Sequence, residues 1–306
     1  MEYKKYQHVC RIGTSDVGGL LDGKVYVFSK IDGTNGTLFL GDDGLVHGGS
    51  RKRELNDFQD NQGFYGKFHK DQRFVDYFAK HPTHRLFGEY LKPHTLKTYK
   101  DDAWNKFYVF DVCIDDSENE EKVKYLSYEE YKPLLEEFGI DYIPLIKKLN
   151  NPTQEDLEEL LRANKFLIQE NLGIGEGLVI KRYDFENRYG RTTWGKLIAD
   201  EYIERQQTKC STKQNDLPVE KRIINEYFSE AVVEKEYAKI LNENPEIEKG
   251  VLIPRLLNIC FYTLVTEESW NFVKQFKNPT VDFKKLRNEV INKIKKVKPD
   301  LFTKND

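Results

Sequence analysis

Hydrophobic residues in the first two thirds of the chain alternate with polar ones in short runs, which glycine, aspartate and asparagine interrupt. This pattern is typical of antiparallel strands and hairpins. The clearest runs between about residues 24 and 113 are KVYVFSKI, TLFL, HRLFGEYL and KFYVFDVCI, and the later ones are GLVIKRYD and TTWGKLIAD. Between Leu40 and Leu45 the sequence GDDG provides the residues that tight turns need, so we predict a hairpin over 36–48.

A helical pattern interrupts the strands near residue 153 and returns at the end of the chain. Thr153 and Asp156 have the spacing of a capping box. The apolar residues at helical intervals behind them are Leu157, Leu160, Leu161, Leu167 and Ile168. From Pro218 onward one apolar helical face is predicted, followed by apolar sets near 251–265 and 270–276; the face comprises Ile223, Ile224, Tyr227, Phe228, Ala231 and Val232.

The polar stretch RQQTKCSTKQND divides these two parts of the chain. Its residues bury little surface, so it is typical of a linker. We therefore predict an α+β domain over 1–205, a linker over 206–215 and a small helical domain over 216–306.

Composition excludes wholesale disorder, because 39% hydrophobic and 13% aromatic residues can fill a core. The net charge of −3 excludes a basic field over the whole protein. One local exception is the stretch 274–298, with nine basic residues against two acidic ones. Two interpretations stay open for it: a solvated helix face, or a surface that binds phosphate backbones.

The four cysteines lie far apart and form no CxxC pair. This spacing argues against a zinc knuckle and against a secreted disulfide framework. No apolar run approaches the roughly 18 residues of a membrane span, and the first residues have no hydrophobic signal core. We expect a soluble, monomeric protein of the cytoplasm, or of the host cytoplasm if the source is viral, with no membrane partner.

The densest chemical signal is KIDGTN at 30–35, directly after an apolar strand. Gly33 allows close approach of the backbone to a ligand, and Asp32 and Asn35 offer short polar groups. A lysine amine such as that of Lys30 is a nucleophile only when it is deprotonated, which desolvation or neighbouring positive charge promotes. Lys181 and Lys196 are the candidates for that charge. Taken alone, the tetrapeptide KIDG also fits a surface lysine that leads into an Asp-Gly turn.

Further motifs follow in a fixed order: SR at 50–51, FGEY at 87–90, FYVFD at 107–111, EGLVIK at 176–181 and WGK at 194–196. Over residues 24–200 this series resembles the covalent nucleotidyltransferase superfamily of ATP-dependent ligases and mRNA capping enzymes. The resemblance implies an α+β fold, with an antiparallel-sheet nucleotidyltransferase (ATP-grasp-like ligase adenylation) domain followed by a small all-α C-terminal domain.

Two features make the chain similar to the phage-type double-strand RNA ligase branch. DNA ligases and capping enzymes typically have arginine at the position of Asn35, and they have a β-barrel OB domain where this chain has a helical pattern. The branch implies that Lys30 attacks the α-phosphorus of ATP and that AMP then passes to an RNA 5'-phosphate, which a 3'-hydroxyl attacks.

The resemblance also implies roles for the other motif residues. Lys181 and Lys196 would contact the α-phosphate, and the nucleotide-binding signature would include Ile31, Asp32, Gly33 and Asn35. Glu176 and Glu89 would serve Mg²⁺, with Mn²⁺ as the alternative ion and ribose as an alternative partner of Glu89. Phe110 would stack on adenine, with Phe107 as the alternative, and Arg51 would lie near the nucleotide phosphate, with Arg53 as the alternative.

Each role has a plainer competitor. Glu89 is also interpretable as a solvated carboxylate, Phe110 as a core aromatic, and Glu176 with Lys181 as an exposed pair. The last motif departs from related enzymes, which often have a lysine at the position of Trp194; Arg191 and Arg182 are candidates to replace that charge.

The sequence thus predicts an ATP-dependent RNA ligase that joins 3'-hydroxyl and 5'-phosphate ends in RNA repair. A DNA ligase or a capping-type guanylyltransferase is the alternative within catalysis. The alternative of another class is a non-catalytic nucleotide- or RNA-binding protein.

Overall fold

The computed structural model describes residues 1–93, 99–115, 123–170, 172–199 and 217–303. The residues up to 199 form one compact unit and those from 217 form a second. The first unit is α+β and the second is helical, as the sequence predicts. The predicted linker at 206–215 lies outside the described residues, so its boundaries stay a prediction.

Eleven strands are found among the described residues of the first unit. They are β1 (Cys10–Arg11), β2 (Lys24–Lys30), β3 (Thr34–Leu40), β4 (Val46–Ser50), β5 (Glu54–Leu55), β6 (His84–Leu91), β7 (Lys106–Asp115), β8 (Val123–Tyr125), β9 (Leu145–Asn150), β10 (Gly177–Lys181) and β11 (Gly195–Ile198).

These strands form two sheets. The first has the order β1-β11-β10-β2-β9 and the second has the order β5-β4-β3-β6-β7-β8. Neighbours in both sheets are antiparallel, except that β1 runs parallel to β11. The predicted hairpin over 36–48 is confirmed as β3 and β4, with Gly44 at φ +76° in the turn.

In the described part of this unit four α-helices accompany the sheets: α1 (Phe64–Phe68), α2 (Gln72–Lys80), α3 (Tyr128–Glu137) and α4 (Gln154–Ala163). The capping box at Thr153 and Asp156 is confirmed at the start of α4, which buries Leu157 and Leu161. Leu167 lies beyond the end of this helix at φ +60°, so the helical interval predicted there is wrong.

Two apolar clusters are found among the described residues of the first unit. One is aromatic and packs α1, α2 and α3 against the second sheet; it includes Phe64, Phe68, Phe74, Tyr77, Phe78, Tyr90, Phe107 and Tyr131. The other joins residues of both sheets, including Phe28, Ile31, Leu91 and Tyr108. The second cluster therefore supports the end of β2, where Lys30 lies.

The helical unit contains α5 (Val219–Tyr227), α6 (Glu230–Glu243), α7 (Lys249–Gln275) and α8 (Phe283–Val297). The single face predicted from residue 223 to 232 is wrong, because α5 ends at Tyr227 and the Ser229 side chain accepts a hydrogen bond from Val232 at the start of a new helix. The apolar sets near 251–265 and 270–276 belong to one helix, α7.

By length and composition alone, α7 could cross a membrane, with a mean hydropathy of 1.2 in its most apolar window. The prediction that no such segment exists is therefore wrong. Leu252, Leu256, Cys260, Leu264 and Phe272 of this helix lie in the apolar core of the helical unit. A core helix of a globular unit accounts for these contacts.

Candidate active site

Three lysines project from one face of the first sheet. Lys30 and Tyr26 share a face of β2, since four positions separate them. Lys181 pairs directly with Tyr26, and Lys196 pairs with Val179, two positions before Lys181. Directly paired residues on antiparallel strands project to the same side. The predicted nucleophile and both predicted cations therefore lie on neighbouring strands and face the same way.

Lys30 forms an ion pair with Glu176. Its Nζ lies 2.6 Å from Glu176 Oε2, and both side chains are largely buried. The two residues come together because Gly177, next to Glu176, pairs with Lys30 across β2 and β10. Lys181 and Lys196 remain the candidates for neighbouring positive charge, and the ion-pair partner of Lys30 is the Glu176 carboxylate.

The turn after Lys30 is held from two sides. The Asp32 amide donates to the Tyr99 hydroxyl at 2.7 Å, and the Gly33 amide donates to Glu89 Oε1 at 3.0 Å. A Cβ at position 33 would lie 2.4 Å from the Tyr90 carbonyl oxygen. Close approach to β6 therefore requires glycine at this position.

Glu89 faces the same turn from the second sheet. Burial raises its pKa to about 7, and the nearby carboxylates of Glu176 and Asp32 add to the rise. The Lys30 ammonium and the Gly33 amide act in the opposite direction. Glu89 is only partly exposed and accepts a hydrogen bond from the Gly33 amide, so a freely solvated strand carboxylate does not describe it.

Lys181 is buried among aromatic rings, with its Nζ 4.8 Å from the centre of the Phe28 ring. This ammonium lies 2.7 Å from Asp111 Oδ1 and donates to the Phe110 carbonyl at 2.6 Å. Only 2% of the Lys181 side chain is exposed, and none of the Asp111 side chain. Burial lowers the pKa of Lys181, and Asp111 opposes that change. The alternative of an exposed Glu176–Lys181 pair is wrong, since each residue has another partner.

Trp194 occupies the position where related enzymes often have a lysine. It is fully buried, and its Nε1 donates to Asp111 Oδ2 at 3.1 Å. The candidate Arg182 donates to the backbone carbonyls of Gly19 and Asp22. The structure therefore places an indole that holds Asp111 at this position, and it directs Arg182 toward the loop before β2.

Phe110 and Phe107 have different surroundings. Phe107 is 2% exposed and packs against Phe64 and Phe68 in the aromatic core. Phe110 is only partly buried and is an extra residue in β7, since Phe87 pairs with Asp111 and Gly88 with Val109. Such bulges turn a side chain in a new direction. Of the two, Phe110 is the ring that can meet a ligand.

The remaining predicted residues differ in position. Asn35 pairs directly with Glu89 across β3 and β6, so both lie on one face of the second sheet. Ile31 is buried in the apolar cluster that includes Phe28 and Leu91. Arg51 is exposed, and its Nη2 lies 3.1 Å from His8 Nδ1. Arg53 is also exposed, in the same turn after β4.

The two predicted metal ligands offer carboxylate oxygens beside the same lysine. Among the described residues, no group of three or more His, Cys, Asp and Glu side chains could form a closed metal site. Mg²⁺ commonly uses one or two carboxylates and completes its shell with water and substrate phosphates. Glu176 and Glu89 fit that donor set.

Comparison with known proteins decides the family. The sequence profile of the RNA ligase family matches residues 23–198, which is more than half of the chain. The chain belongs to the RNA ligase family. No curated protein sequence matches this family member.

Solved structures resemble this RNA ligase family member at low identity. A Naegleria gruberi RNA ligase variant with ATP and manganese is 21% identical, with a TM-score of 0.49 over 67% of this chain and 58% of that one. Another variant of that ligase, with AMP and manganese, is 20% identical, with a TM-score of 0.48 over the same shares of the two chains. An Aquifex aeolicus protein that carries the name of an ATP-dependent DNA ligase is 14% identical, with a TM-score of 0.48 over 97% of this chain and 68% of that one. The chain thus matches 58% of the length of the Naegleria ligases.

Sequence reasoning did not assign Asp111, Tyr6 and Tyr99 to the site. Asp111 stands in the quoted FYVFD motif, so its motif was a usable signal. Tyr6 donates to Asp111 Oδ2 at 2.6 Å across 105 positions of the chain. No local pattern announces such a contact.

Proposed function

We propose that this protein is an ATP-dependent RNA ligase that joins 3'-hydroxyl and 5'-phosphate RNA ends through a lysyl-AMP intermediate on Lys30. The observation that carries the proposal is the arrangement of Lys30 with Glu176, with Lys181 and Lys196 on the same sheet face. An amine at a strand end, beside carboxylates and cations, has the groups that nucleotidyl transfer needs.

In the first step the neutral Lys30 amine attacks the α-phosphorus of ATP. An N–P bond forms, the bond from the α-phosphorus to the bridging oxygen breaks, pyrophosphate leaves, and the nitrogen releases a proton to give the phosphoramide. Lys30 must give up a proton and leave its ion pair with Glu176 to present a lone pair. The turn at 32–33 is fixed by Tyr99 and Glu89, which keeps the position of the attacking amine constant.

In the second step an oxygen of the RNA 5'-phosphate attacks the lysyl-AMP phosphorus, and the N–P bond breaks as the nitrogen takes up a proton, which returns the amine. In the third step the 3'-hydroxyl attacks the RNA 5'-phosphorus, AMP leaves, and the hydroxyl proton is released. Each centre gathers negative charge in its transition state. Lys196 is the cation proposed to meet that charge.

Lys181 acts differently in this proposal. Its ammonium is neutralised by Asp111 and held by the Phe110 carbonyl. We therefore assign it to the support of Phe110, the proposed adenine platform, and a direct phosphate contact would require it to leave a buried ion pair. Arg51, exposed in the turn after β4, is the proposed contact for a terminal phosphate.

Glu176 and Glu89 are proposed to hold Mg²⁺ or Mn²⁺. A bound divalent ion neutralises phosphate oxygens and so favours attack by an amine. Because Glu89 has a pKa of about 7, its ability to serve as a carboxylate ligand increases through neutral pH.

The phage-type double-strand branch remains the proposed subgroup. Asn35 beside Glu89 and the helical unit from residue 217 support it. Nicked RNA duplex is therefore the proposed substrate, with repair as the proposed role in the cytoplasm.

A sealing assay tests the function and separates its alternatives. Nicked RNA, nicked DNA and single-stranded RNA compete in one reaction with ATP and Mg²⁺, and a parallel reaction contains GTP. We expect the nicked RNA to be sealed in the reaction with ATP and to stay unsealed in the reaction with GTP. Sealing of nicked DNA in preference identifies a DNA ligase, transfer of GMP identifies a guanylyltransferase, and nucleotide binding without any covalent product identifies a non-catalytic protein.

A further inference from the structure

Residues 1–12 lie outside the segment that matches the RNA ligase family, yet they contact both sheets of the candidate site. Tyr3 donates to the Ser50 carbonyl on β4 at 2.6 Å, and the Ile12 amide donates to the Lys196 carbonyl on β11 at 3.0 Å. Tyr6 reaches Asp111 between these two ends. This N-terminal segment, residues 1–12, therefore bridges the strands that carry the predicted nucleotide-binding residues.

Tyr6 makes two different contacts in the bridge. Its hydroxyl donates to Asp111 Oδ2, the oxygen that also accepts from Trp194. Its ring lies 4.9 Å from the Phe110 ring and 5.0 Å from the Phe87 ring, centre to centre. Burial raises the pKa of Tyr6, as does the nearby Asp111, so the phenol stays protonated and donates.

Phe110 needs such support because it is the extra residue of a β-bulge. An extra residue has no directly paired residue opposite it, so the sheet alone does not fix its ring. Its carbonyl is held by Lys181 at 2.6 Å and approached by the Tyr131 hydroxyl at 3.5 Å. Among the ring pairs of the described residues, the ring that lies within 5 Å of the Phe110 ring is that of Tyr6.

We propose that Tyr6 is a positioning residue for nucleotide binding: its ring fixes Phe110 in the orientation that stacks on adenine, while its hydroxyl and Trp194 together orient Asp111. The inference rests on the proposed function, since it takes Phe110 as the adenine platform. Two donors share Asp111 Oδ2, so the hydroxyl is partly redundant, whereas no second ring in the described part of the chain replaces the packing of Tyr6 on Phe110.

The test compares two substitutions at this position with a control in the same segment. Tyr6→Leu removes the ring, and we expect the KM for ATP in adduct formation to rise about 10-fold with kcat within about 2-fold. A rise of about 10-fold lies at the lower end of the roughly 5- to 150-fold loss of affinity that follows removal of a base–aromatic stack. Tyr6→Phe keeps the ring and should stay within about 3-fold of the unmodified protein, because Trp194 still donates to Asp111. Tyr3→Leu removes another tyrosine of the N-terminal segment and should leave the KM for ATP unchanged.

A binding measurement separates this inference from the proposed function. In the Lys30→Ala background, which cannot form an adduct, Tyr6→Leu should raise the Kd for ATP about 10-fold by calorimetry. If the unmodified protein forms no adduct but this shift in Kd appears, the proposed function fails and the role of Tyr6 stands. If Tyr6→Leu is unfolded at the assay temperature, Tyr6→His replaces it with an intermediate expected shift.

Three results would overturn the role of Tyr6. An unchanged KM and Kd in Tyr6→Leu would show that Phe110 needs no support. Equal effects of Tyr3→Leu and Tyr6→Leu would assign the effect to docking of the whole segment. A loss of kcat without a change in KM would place Tyr6 in the chemical step.

Discussion

At the residue scale, the site depends on a carboxylate that is costly to keep charged. Burial opposes ionisation of Glu89, and Glu176 and Asp32 repel a further negative charge. The same side chain fixes the Gly33 amide. The site therefore keeps a group whose charged form is unfavourable in the folded protein, which is common where function and stability conflict.

This conflict gives a pH-dependent prediction for Glu89→Gln. The pKa of Glu89 is about 7 in the folded protein, against 4.5 for an ordinary glutamate. The stability that it contributes is fully present below pH 4.5 and is lost as the pH rises through 7. The Tm of Glu89→Gln relative to the unmodified protein should therefore increase from pH 5 to pH 8, by about 2–4 °C for each kcal/mol.

Adduct formation by Glu89→Gln should fall, whereas its Tm relative to the unmodified protein should rise with pH. Glu89→Gln removes a proposed metal ligand, so adduct formation should fall even where the variant is the more stable protein. Thermal unfolding at pH 5 and pH 8 measures the change in relative Tm. Glu159→Gln, on the exposed side of α4, is the control. A Tm difference that is the same at pH 5 and pH 8 contradicts the raised pKa.

The sequence anticipated the residues of the site better than their contacts. Lys30, Glu89 and Glu176 are predicted from ordered motifs, and they lie together. The partners of Lys181 are not predicted, because Asp111 lies 70 positions away and the motif pattern marks Trp194 only as a missing lysine. Long-range pairing depends on how the strands assemble, which local patterns do not specify.

At the element scale, one buried ion pair joins the two sheets. Asp111 belongs to β7 and Lys181 to β10, and the three donors to the Asp111 carboxylate come from Lys181, Tyr6 and Trp194. Charges removed from water are tolerated when such bonds satisfy them. The pair thus links β10 of the first sheet to β7 of the second, next to Phe110.

Asp111→Asn should destabilise the protein by about 3–5 kcal/mol, because it leaves the Lys181 ammonium buried without a compensating charge. The double variant Asp111→Asn with Lys181→Met should recover part of that loss. Chemical denaturation of the single and double variants measures the coupling. Glu136→Gln, which breaks an exposed pair with Lys132, is the control and should have little effect. Strictly additive losses in the double variant argue against a coupled pair.

Strand and helix predictions failed where polarity or a short break misled them. The strand β9 has the sequence LIKKLN, and its two exposed lysines hide a strand at the edge of the sheet. The break between α5 and α6 depends on the Ser229 cap, a single residue within a continuous apolar pattern. By contrast, the GDDG turn and the Thr153 capping box were predicted correctly because their signals are local.

At the scale of the whole molecule, the basic stretch 274–298 lies in the helical unit. A groove of about 450 Å³ between α5 and α8 is lined by four lysines and one glutamate, together with Asn225 and Asn292; the charged residues are Lys221, Lys293, Lys295, Lys296 and Glu289. Concave surfaces with several lysines and amides suit phosphate oxygens. This geometry favours the phosphate-binding interpretation of the stretch 274–298 over a plain solvated face.

Charge reversal tests that interpretation. The double variant Lys221→Glu with Lys296→Glu should weaken binding of nicked RNA and reduce the slope of log K against log salt by about 0.7–0.9 for each phosphate that the groove no longer binds. Adduct formation should be unchanged, since the substitutions lie outside the first unit. Lys284→Glu with Lys285→Glu, at the exposed start of α8, is the matched control. An equal loss in the control contradicts a specific role for the groove.

The central claim is that Lys30 carries AMP covalently. The protein is incubated with ATP labelled in the α-phosphate and Mg²⁺, and the labelled peptide is identified by mass spectrometry. Lys24→Ala is the matched control, because Lys24 is the exposed lysine at the other end of the same strand. We predict one AMP on Lys30, lost in Lys30→Ala and kept in Lys24→Ala. Label that persists in Lys30→Ala, or a correctly folded protein that takes up no AMP, would contradict the account.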